Sequence, residues 1–319
     1  MNEQRLAVID LVGRLAAAGR LGRDELLRLG VDLSRELRVL GVPIRIDSEG
    51  LRWVPPADAL NAQQIAGIIR DAGSDCAIQV SPLTDSTNTR LLAAAADGER
   101  GPRVLLAECQ LDGRGRRGRQ WQASWGDALL MSFLVDTGRS GSELPCLAIA
   151  TGVSVAMAMS GIGVAGIRLK WPNDVLLAGA KLAGVLVEAS GRADARGIAV
   201  IGIGLNWRIA PDRRAAMGQA SAELMSALPD GDRDRNRVAG HLILAVLAMA
   251  ERFRREGLAP FLEGFARLDA LVGRTVDIVT SHETREGVAL GLADDGSLRI
   301  AHDDGERRYH SAEVSVRPA

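Results

Sequence analysis

Lysine is nearly absent from this chain of 319 residues. Lys170 and Lys181 are its only lysines, so 39 − 2 = 37 of its basic residues are arginines. Because a compact ammonium binds anions differently from a planar guanidinium, a position that keeps lysine here is a candidate for chemistry that arginine cannot supply. Both lysines fall within one span of twelve residues, which marks the first candidate site.

The chain also has almost no net charge and few cysteines. The 39 basic and 40 acidic residues leave a formal charge of −1, which argues against a protein that coats nucleic acid or binds membranes through a polybasic surface. Cys76, Cys109 and Cys146 are widely spaced and form no CxxC pair, which argues against a disulfide framework and a thiolate zinc site. The first residues lack a signal-peptide pattern. We therefore expect a cytoplasmic protein.

One uncharged segment, residues 144–167, is long enough to cross a bilayer. It contains Pro145 and four glycines, and its pattern breaks into a helix at about 145–160, a turn and a strand. We therefore predict a buried core helix and no membrane association.

The chain divides into three regions of different pattern. Residues 1–56 contain two or three helical segments, the second around Leu26, Leu27 and Leu29, and then an alternating hairpin, which is the order of a winged helix. Residues 60–268 alternate strands and helices, which predicts an α/β (α+β) domain with one mixed sheet. Residues 269–319 contain five short strands separated by turns, which predicts a small SH3-like β-barrel.

The central region carries the clearest periodic elements. The predicted strands are 103–109, 128–135, 167–171, 182–189 and 198–207, and the predicted helices are 61–71, 86–97, 145–160 and 236–256.

The loop at 113–121 (GRGRRGRQW) concentrates positive charge. It holds four arginines, Arg114, Arg116, Arg117 and Arg119, within six positions, and glycines are interleaved with them. Guanidinium groups and accessible backbone N–H groups suit a polyphosphate, although a solvated basic loop is the competing interpretation. Because like charges repel, we expect this loop to be disordered when empty and ordered over an anionic ligand.

Several common site patterns are missing. Both G-x-G-x-x-G matches, at 113–118 and 161–166, lack the strand–turn–helix context of a dinucleotide site, and there is no P-loop. The four histidines have no metal-ligand spacing, and no G-x-S-x-G or Cys/His pattern indicates a covalent nucleophile. Any nucleotide is therefore bound in another way.

The two lysines frame the segment LKWPNDVLLAGAK. Alternation along 167–171 predicts that Lys170 faces away from the core. Asn173 and Asp174 follow the end of this strand, and the chain returns through Lys181 into the next one. A lysine at such a position can pair with a carboxylate and stabilise charge during attack on phosphorus. Two ordinary surface lysines near a turn are the alternative.

Two further polar groups lie at the ends of predicted elements. Ser86, Thr87 and Asn88 open a helix, where a simple N-cap is the plain interpretation. Asn206 lies at the tip of the strand 198–207.

Taken in order, DSTN, AECQxxGRGRRGRxW, KWPNDV, KLAGVLVE and GxGxN resemble the biotin protein ligases, specifically the bifunctional ligase/repressor type. The resemblance is strong from about 80 to 210, and the order of the three regions is also similar. Lipoate protein ligases share the core but usually lack the multi-arginine loop.

The resemblance implies a two-step reaction. The biotin carboxylate attacks the α-phosphate of ATP to give biotinyl-5′-AMP and pyrophosphate, and a lysine of the biotin carboxyl carrier protein of acetyl-CoA carboxylase then attacks the mixed anhydride. Mg²⁺ would accompany ATP by bridging phosphates, without a dedicated protein metal site. A homodimer formed by edge-to-edge sheet pairing is also implied.

The family motifs imply roles for particular residues. For biotin these are Ser86, Thr87, Asn88, Gln110, Arg114, Gly115, Arg116 and Lys181; for the nucleotide, Arg116, Arg117, Arg119, Trp121, Lys170, Asn173 and Asn206; and for catalysis, Lys181, Arg116 and Asp174.

The N-terminal region departs from the family pattern. Only about nine residues, 32–40, remain for the second helix of a helix–turn–helix, and residues 1–56 contain nine arginines against eight acids, a net charge of +1. We therefore expect poor operator binding. Two alternatives stay open: a ligase for lipoate or another small acid, and a protein that acts primarily as a biotin-sensing DNA-binding repressor.

Overall fold

The computed structural model describes residues 3–23, 35–190, 197–280, 283–310 and 315–318. Three β-sheets follow one another along the chain. The strands are β1 (Arg20–Gly22), β2 (Ile44–Asp47), β3 (Gly50–Trp53), β4 (Ala77–Ser81), β5 (Arg103–Ala107), β6 (Ala128–Asp136), β7 (Ile167–Lys170), β8 (Asp174–Leu177), β9 (Ala180–Ser190), β10 (Ile198–Asn206), β11 (Thr275–Val279), β12 (Thr284–Leu292), β13 (Leu298–His302), β14 (Gly305–Tyr309) and β15 (Ser315–Pro318). The helices are α1 (Glu3–Ala18), α2 (Ala62–Asp71), α3 (Thr87–Ala96), α4 (Leu144–Gly161), α5 (Pro211–Ala216), α6 (Arg235–Glu256) and α7 (Ala259–Leu268).

The N-terminal region forms a three-stranded sheet in the order β1-β3-β2, beside α1. The expected hairpin is present as β2 and β3, and β1, which was not predicted, adds the third strand. Residues 35–39 are helical. The predicted segment around Leu26, Leu27 and Leu29, and the start of the shortened second helix, lie outside the described residues.

The central sheet has seven strands in the order β4-β5-β6-β10-β9-β8-β7, and only the β4–β5 pair is parallel. One face is covered by α2, α4, α6 and α7, which enclose the main hydrophobic core. The other face carries α3, whose Leu91 and Ala95 pack on Leu134 and Val200. Only one helix covers this second face among the described residues, so space for a cleft remains beside it.

Helix α4 explains the uncharged segment. The stretch Gly141–Gly161 is long and apolar enough to cross a membrane, yet 61% of its most apolar window is buried in the protein. It packs against β7, β9 and α6. The prediction of a core helix at this position is confirmed.

Most other predicted elements of the central region match the structure within one or two residues. Ile167 and Leu169 are buried while Arg168 is exposed, as the alternation predicted. The strands β4 and β8 and the helix α7 were not predicted.

The C-terminal region forms a five-stranded antiparallel sheet in the order β14-β13-β12-β11-β15, consistent with an SH3-like domain. It contacts the central region through Trp171, whose indole N–H donates to the carbonyl oxygen of Gly296 at 3.0 Å. The proposed boundaries near 56–60 and 268–269 fall between the three sheets and stay a prediction.

Candidate active site

A row of residues crosses the central sheet on the face that carries α3. The strand register pairs Lys170 with Asp174, Asp174 with Gly184, Gly184 with Gly204, and Gly204 with Leu130. Directly paired residues project from the same face of a sheet. The cation Lys170 and the carboxylate Asp174 at one end are therefore followed by two positions without a side chain, Gly184 and Gly204, and these form a floor.

A cleft of about 1410 Å³ opens above this floor. It brings together three groups of predicted residues: the start of α3 with Gln110, the arginine loop 113–121, and the segment around the two lysines. Every residue predicted for the site lines the cleft except Asn206.

Trp121 lies on the glycine floor. A Cβ built on Gly204 would come within 2.5 Å of its ring, and one on Gly184 within 3.2 Å. Contacts under 3.0 Å are not tolerated by ordinary side chains, so the close approach of the indole requires glycine at 204. These glycines therefore let the end of the arginine loop reach the sheet.

Lys181 is fixed in the cleft by an ion pair and by its backbone. Its Nζ lies 2.7 Å from Asp174 Oδ1, and both side chains are largely buried, at 18% and 21% exposure. The same Nζ lies 5.6 Å from the centre of the Trp121 ring. Its backbone N–H donates to Ala220 O and its carbonyl accepts from Ala222 N, each at 2.9 Å. The ammonium is thus held by the sheet and by the segment 220–222.

Asn206 has a different position from the one expected. Its Nδ2 donates to the carbonyl oxygens of Lys181 at 3.3 Å and Ala222 at 3.1 Å. The amide therefore ties the strand of Lys181 to the segment beside it. A contact with the nucleoside stays a prediction, and in this structure the residue supports the backbone around Lys181.

The arginine loop is held at two points. Arg114 Nη2 lies 3.1 Å from Glu188 Oε1, and Arg116 Nη1 donates to Asn173 Oδ1 at 3.2 Å. Asn173 is itself fixed because its Nδ2 donates to Val185 O at 2.8 Å. Burial lowers the pKa of the Arg116 guanidinium, with nearby Asp174 acting in the opposite direction. An anion here would meet a partly desolvated cation.

Gly115, Arg117 and Arg119 complete the loop and also line the cleft. Arg117 has a φ of 58°, inside a short 3₁₀ turn at Arg116–Gly118. A non-glycine residue in this left-handed region is strained. The backbone conformation at the tip of the loop is therefore locally strained.

The start of α3 forms a buried polar end of the cleft. Ser86 is the N-cap of α3, because its side chain accepts from the N–H of Thr89 at 3.4 Å. Thr87 N donates to Gln110 Oε1 at 2.7 Å. Asn88 Oδ1 accepts from Ser132 Oγ at 2.5 Å. The plain N-cap interpretation thus holds for Ser86, while its neighbours present hydroxyl and amide groups.

Some residues in and behind the cleft wall were missed. Ser132 and Glu188 lie in strands and do not line the cleft themselves, but each contacts Asn88, which does. Gly202 lines the cleft and leaves the space that Asn88 fills, since a Cβ there would lie 2.3 Å from Asn88 Oδ1. A lone carboxylate in the apolar strand LAGVLVEAS was a usable signal for Glu188. Arg5 and Glu36, from the N-terminal region, also line the cleft, and no local pattern marks them.

No metal site of protein side chains is seen in the part of the chain that the structure describes: no three His, Cys, Asp or Glu residues there are grouped to hold an ion.

Comparisons with known proteins agree with this geometry. The model of the Biotin/lipoate A/B protein ligase family matches residues 80–206, and that of the Biotin protein ligase C terminal domain matches residues 271–317. Bifunctional ligase/repressor BirA of Escherichia coli (strain K12) is 33% identical over 284 residues, which cover 89% of this chain and 86% of the relative.

Other relatives lead to the same family. Biotin--[acetyl-CoA-carboxylase] ligase of Mycobacterium tuberculosis is 33% identical over 232 residues, which cover 69% of this chain and 82% of that protein. The structure of biotin protein ligase from Aquifex aeolicus in complex with biotin and ATP matches with a TM-score of 0.64 and 25% identity, over 76% of this chain and 99% of that one. With its family-model matches, its relatives and its fold in agreement, the chain belongs to the biotin protein ligase family.

Proposed function

We propose that this chain is an ATP-dependent biotin protein ligase. A carboxylate oxygen of biotin forms a bond to the α-phosphorus of ATP, and the bond to the pyrophosphate oxygen breaks, so that biotinyl-5′-AMP and pyrophosphate are produced. The amine of a carrier-protein lysine then attacks the acyl carbon, AMP leaves with the bonding electron pair, and the amine loses a proton. No protein nucleophile is needed.

One observation carries this proposal: a single cleft joins a buried polar end to a cluster of cations. Thr87, Asn88 and Gln110 lie at the polar end, and Lys181 and Arg116 lie at the other. An acid with a polar ring at one end and a carboxylate at the other would contact both. Proximity and preorganised charge are then enough to accelerate adenylation.

In the proposed first step, Lys181 lies beside the reacting carboxylate and phosphate. Its pairing with Asp174 at 2.7 Å fixes the ammonium before substrate binds. Arg114, Gly115 and Arg116 close over the carboxylate and phosphate, and Arg117 and Arg119 contribute further charge to the nucleotide. Lys170, Asn173 and Trp121 border the nucleotide in this assignment. Mg²⁺ would accompany ATP and neutralise part of its phosphate charge, and it would not need a dedicated set of protein ligands.

The polar end favours biotin over lipoate. Ser86, Thr87 and Asn88 are buried, with 3–4% of their surface exposed. These groups already have protein partners, so a ring with N–H and C=O groups adds hydrogen bonds to their remaining capacity, whereas a dithiolane ring adds none, a difference of about 0.5–1.5 kcal/mol for each added bond. Pyrophosphate release measured with biotin, lipoate and octanoate tests this choice, and faster release with lipoate would overturn it.

The acceptor is proposed to be a biotin carboxyl carrier protein of acetyl-CoA carboxylase, and the name of the Mycobacterium tuberculosis relative supports this choice. Incubation with biotin, ATP and a purified carrier domain, followed by mass measurement, tests the whole reaction. We expect a gain of one biotin on the carrier lysine. A carrier of unchanged mass, with an active reference ligase in parallel, would reject the function.

Transcriptional repression is a second candidate, favoured by the helices and hairpin of residues 1–56 and by the name of the Escherichia coli relative. The net charge of +1 in this region weakens the case for DNA binding. A gel shift on the chain's own biotin-operon promoter, with biotin and ATP, decides between ligase alone and ligase with repressor. We expect little or no shift.

Homodimerisation through sheet edges and a cytoplasmic location complete the proposal. Sedimentation velocity with and without biotin and ATP tests the dimer. A monomer under both conditions would reject that part.

A further inference from the structure

Glu188 lies between Asn88 of the polar end and Arg114 of the arginine loop, although it does not itself line the cleft. It is on β9, on the same sheet face as Gly184 and four residues beyond it. Its side chain is 24% exposed. None of the roles assigned above uses it.

Glu188 contacts both sides of this junction. Its Oε2 accepts from Asn88 Nδ2 at 2.8 Å, and Asn88 belongs to the polar end. Its two carboxylate oxygens lie 3.1 and 3.2 Å from Arg114 Nη2. Arg114 also donates to Thr89 Oγ1 at 3.1 Å, so the loop is joined to α3 as well.

The contact on Arg114 falls at the base of the loop. The backbones of Arg114 and Gln120 form an antiparallel β-bridge, and Trp121 N donates to Gly113 O at 2.8 Å. A restraint at this base sets the direction in which the tip, with Arg116, extends over the cleft. The carboxylate therefore acts on the loop through Arg114, one of the arginines assigned to the substrate, without itself contacting substrate.

The contact on Asn88 fixes which way its amide points. The Nδ2 is committed to Glu188 and the Oδ1 to Ser132 Oγ, 2.5 Å away. With neutral partners on both sides the amide could rotate by half a turn, whereas a carboxylate accepts only from the NH₂ group. The charge on Glu188 therefore determines the hydrogen-bonding pattern of the polar end.

We propose that Glu188 is a positioning residue that couples the orientation of Asn88 at the polar end to the placement of Arg114 at the base of the arginine loop. It acts through these two side chains and does not touch the reacting atoms. This inference rests on the proposed function, because its consequence is tighter binding of biotin and slower loss of the adenylate.

The test uses the full chain with the substitution Glu188→Gln, which keeps the size of the side chain and removes its charge. We expect the KM for biotin to rise about tenfold, the effect of losing one charge-assisted hydrogen bond, while kcat stays within about threefold. The matched control is Glu306→Gln, which breaks the Arg299–Glu306 pair at 2.7 and 2.9 Å on the C-terminal sheet. The control is expected to keep both constants.

A double-mutant cycle with Arg114→Gln separates positioning from general destabilisation. If Glu188 acts through Arg114, the double variant retains adenylate no worse than Arg114→Gln alone. Full additivity of the two effects, or a KM for biotin in Glu188→Gln within twofold of the unsubstituted chain, would overturn the inference. Glu188→Asp keeps the charge but loses one methylene, so its KM for biotin is expected to lie between those of the unsubstituted chain and Glu188→Gln. It replaces Glu188→Gln in the test if that variant unfolds at a much lower temperature.

Failure of this inference is distinguishable from failure of the proposed function. An unsubstituted chain that releases no pyrophosphate with biotin and ATP rejects the function itself. An active chain whose Glu188→Gln variant is unchanged rejects only the role of Glu188.

Discussion

The cleft holds its cations in two different ways. Lys181 is part of the sheet: backbone hydrogen bonds to Ala220 and Ala222, each of 2.9 Å, hold it on one side, and its Nζ is paired with Asp174 at 2.7 Å. The four arginines of 113–121 lie instead on a glycine-rich loop. A fixed charge costs no reorganisation when the reaction occurs.

The loop is closed by hydrogen bonds within its own backbone, such as Gly115 N to Arg119 O at 2.7 Å, and is tied to the rest of the protein by side chains. Arg114 pairs with Glu188, Arg116 with Asn173, and the strained Arg117 lies between glycines. Since like charges at this density repel, such a loop gains most from an anion that neutralises it. The difference indicates a division of labour, in which the lysine serves the chemical step and the arginines serve capture and retention of the adenylate.

Removing the fixed charge should have the largest effect. We expect Lys181→Ala to reduce adenylate formation by about 10²–10³-fold, the usual cost of losing one preorganised electrostatic contact. Lys181→Arg should also lower the rate, because a planar guanidinium does not reproduce the compact ammonium that lies 2.7 Å from Asp174 Oδ1. Biotin-dependent pyrophosphate release measures both. An unchanged rate in Lys181→Ala would refute the assignment.

Removing a charge from the loop should affect retention more than chemistry. Arg116→Gly loses a partly buried guanidinium, and we expect biotinyl-5′-AMP to dissociate about 10–100-fold faster, as for one hydrogen bond to a charged group. The rate of adenylate formation should fall less than in Lys181→Ala. The dissociation rate of labelled adenylate provides the measurement. A variant that forms adenylate slowly but retains it normally would contradict the proposed division of labour between lysine and arginines.

The parts of the site and of the fold could not all be predicted equally well from the sequence. The loop and both lysines were predicted because their residue types are unusual and contiguous. Long apolar strands such as β6 and β10 were predicted to within one residue, because a continuous hydrophobic run is a strong local signal. Strand β8 has only four residues and follows β7 after a three-residue turn, so its pattern is too short to separate from the turn.

Contacts across the sheet could not be read from the chain. Ser132 is 44 residues and Glu188 is 100 residues from Asn88 in sequence, and only the order β6-β10-β9 brings them to the same helix. Gly204 belongs to the GxGxN motif, but no role of its own was predicted for it from the sequence. Its importance follows from register, since it lies opposite Gly184 beneath Trp121.

The contact between the sheet and the arginine loop can be broken at the glycine floor. In Gly204→Ala, the added methyl would lie 2.5 Å from the Trp121 ring, so the indole must move away from the sheet. We expect substrate binding to weaken about tenfold, the equivalent of roughly 1–3 kcal/mol of overpacking. Gly67→Ala is the matched control, because nothing lies within 4 Å of its Cβ and it is in helix α2. Equal biotin affinity in both variants would contradict this account of the floor.

Limited proteolysis compares the arginine loop with the backbone around Lys181 in one experiment. The change in cleavage rate on adding ligand is the smallest effect that we expect. Trypsin cleaves after lysine and arginine, so the chain offers sites in the loop, after Arg114, Arg116, Arg117 and Arg119, and one in β9, after Lys181. We predict cleavage in the loop of the empty protein and protection of a few-fold with biotin and ATP, because the adenylate neutralises and orders it. The bond after Lys181 should resist in both states, since sheet hydrogen bonds hold the backbone there. Loop cleavage at equal rates with and without ligand would mean that ligand does not order the loop. The separate roles of the arginines in capture and of Lys181 in chemistry would then have to be argued from the positions of their charges alone.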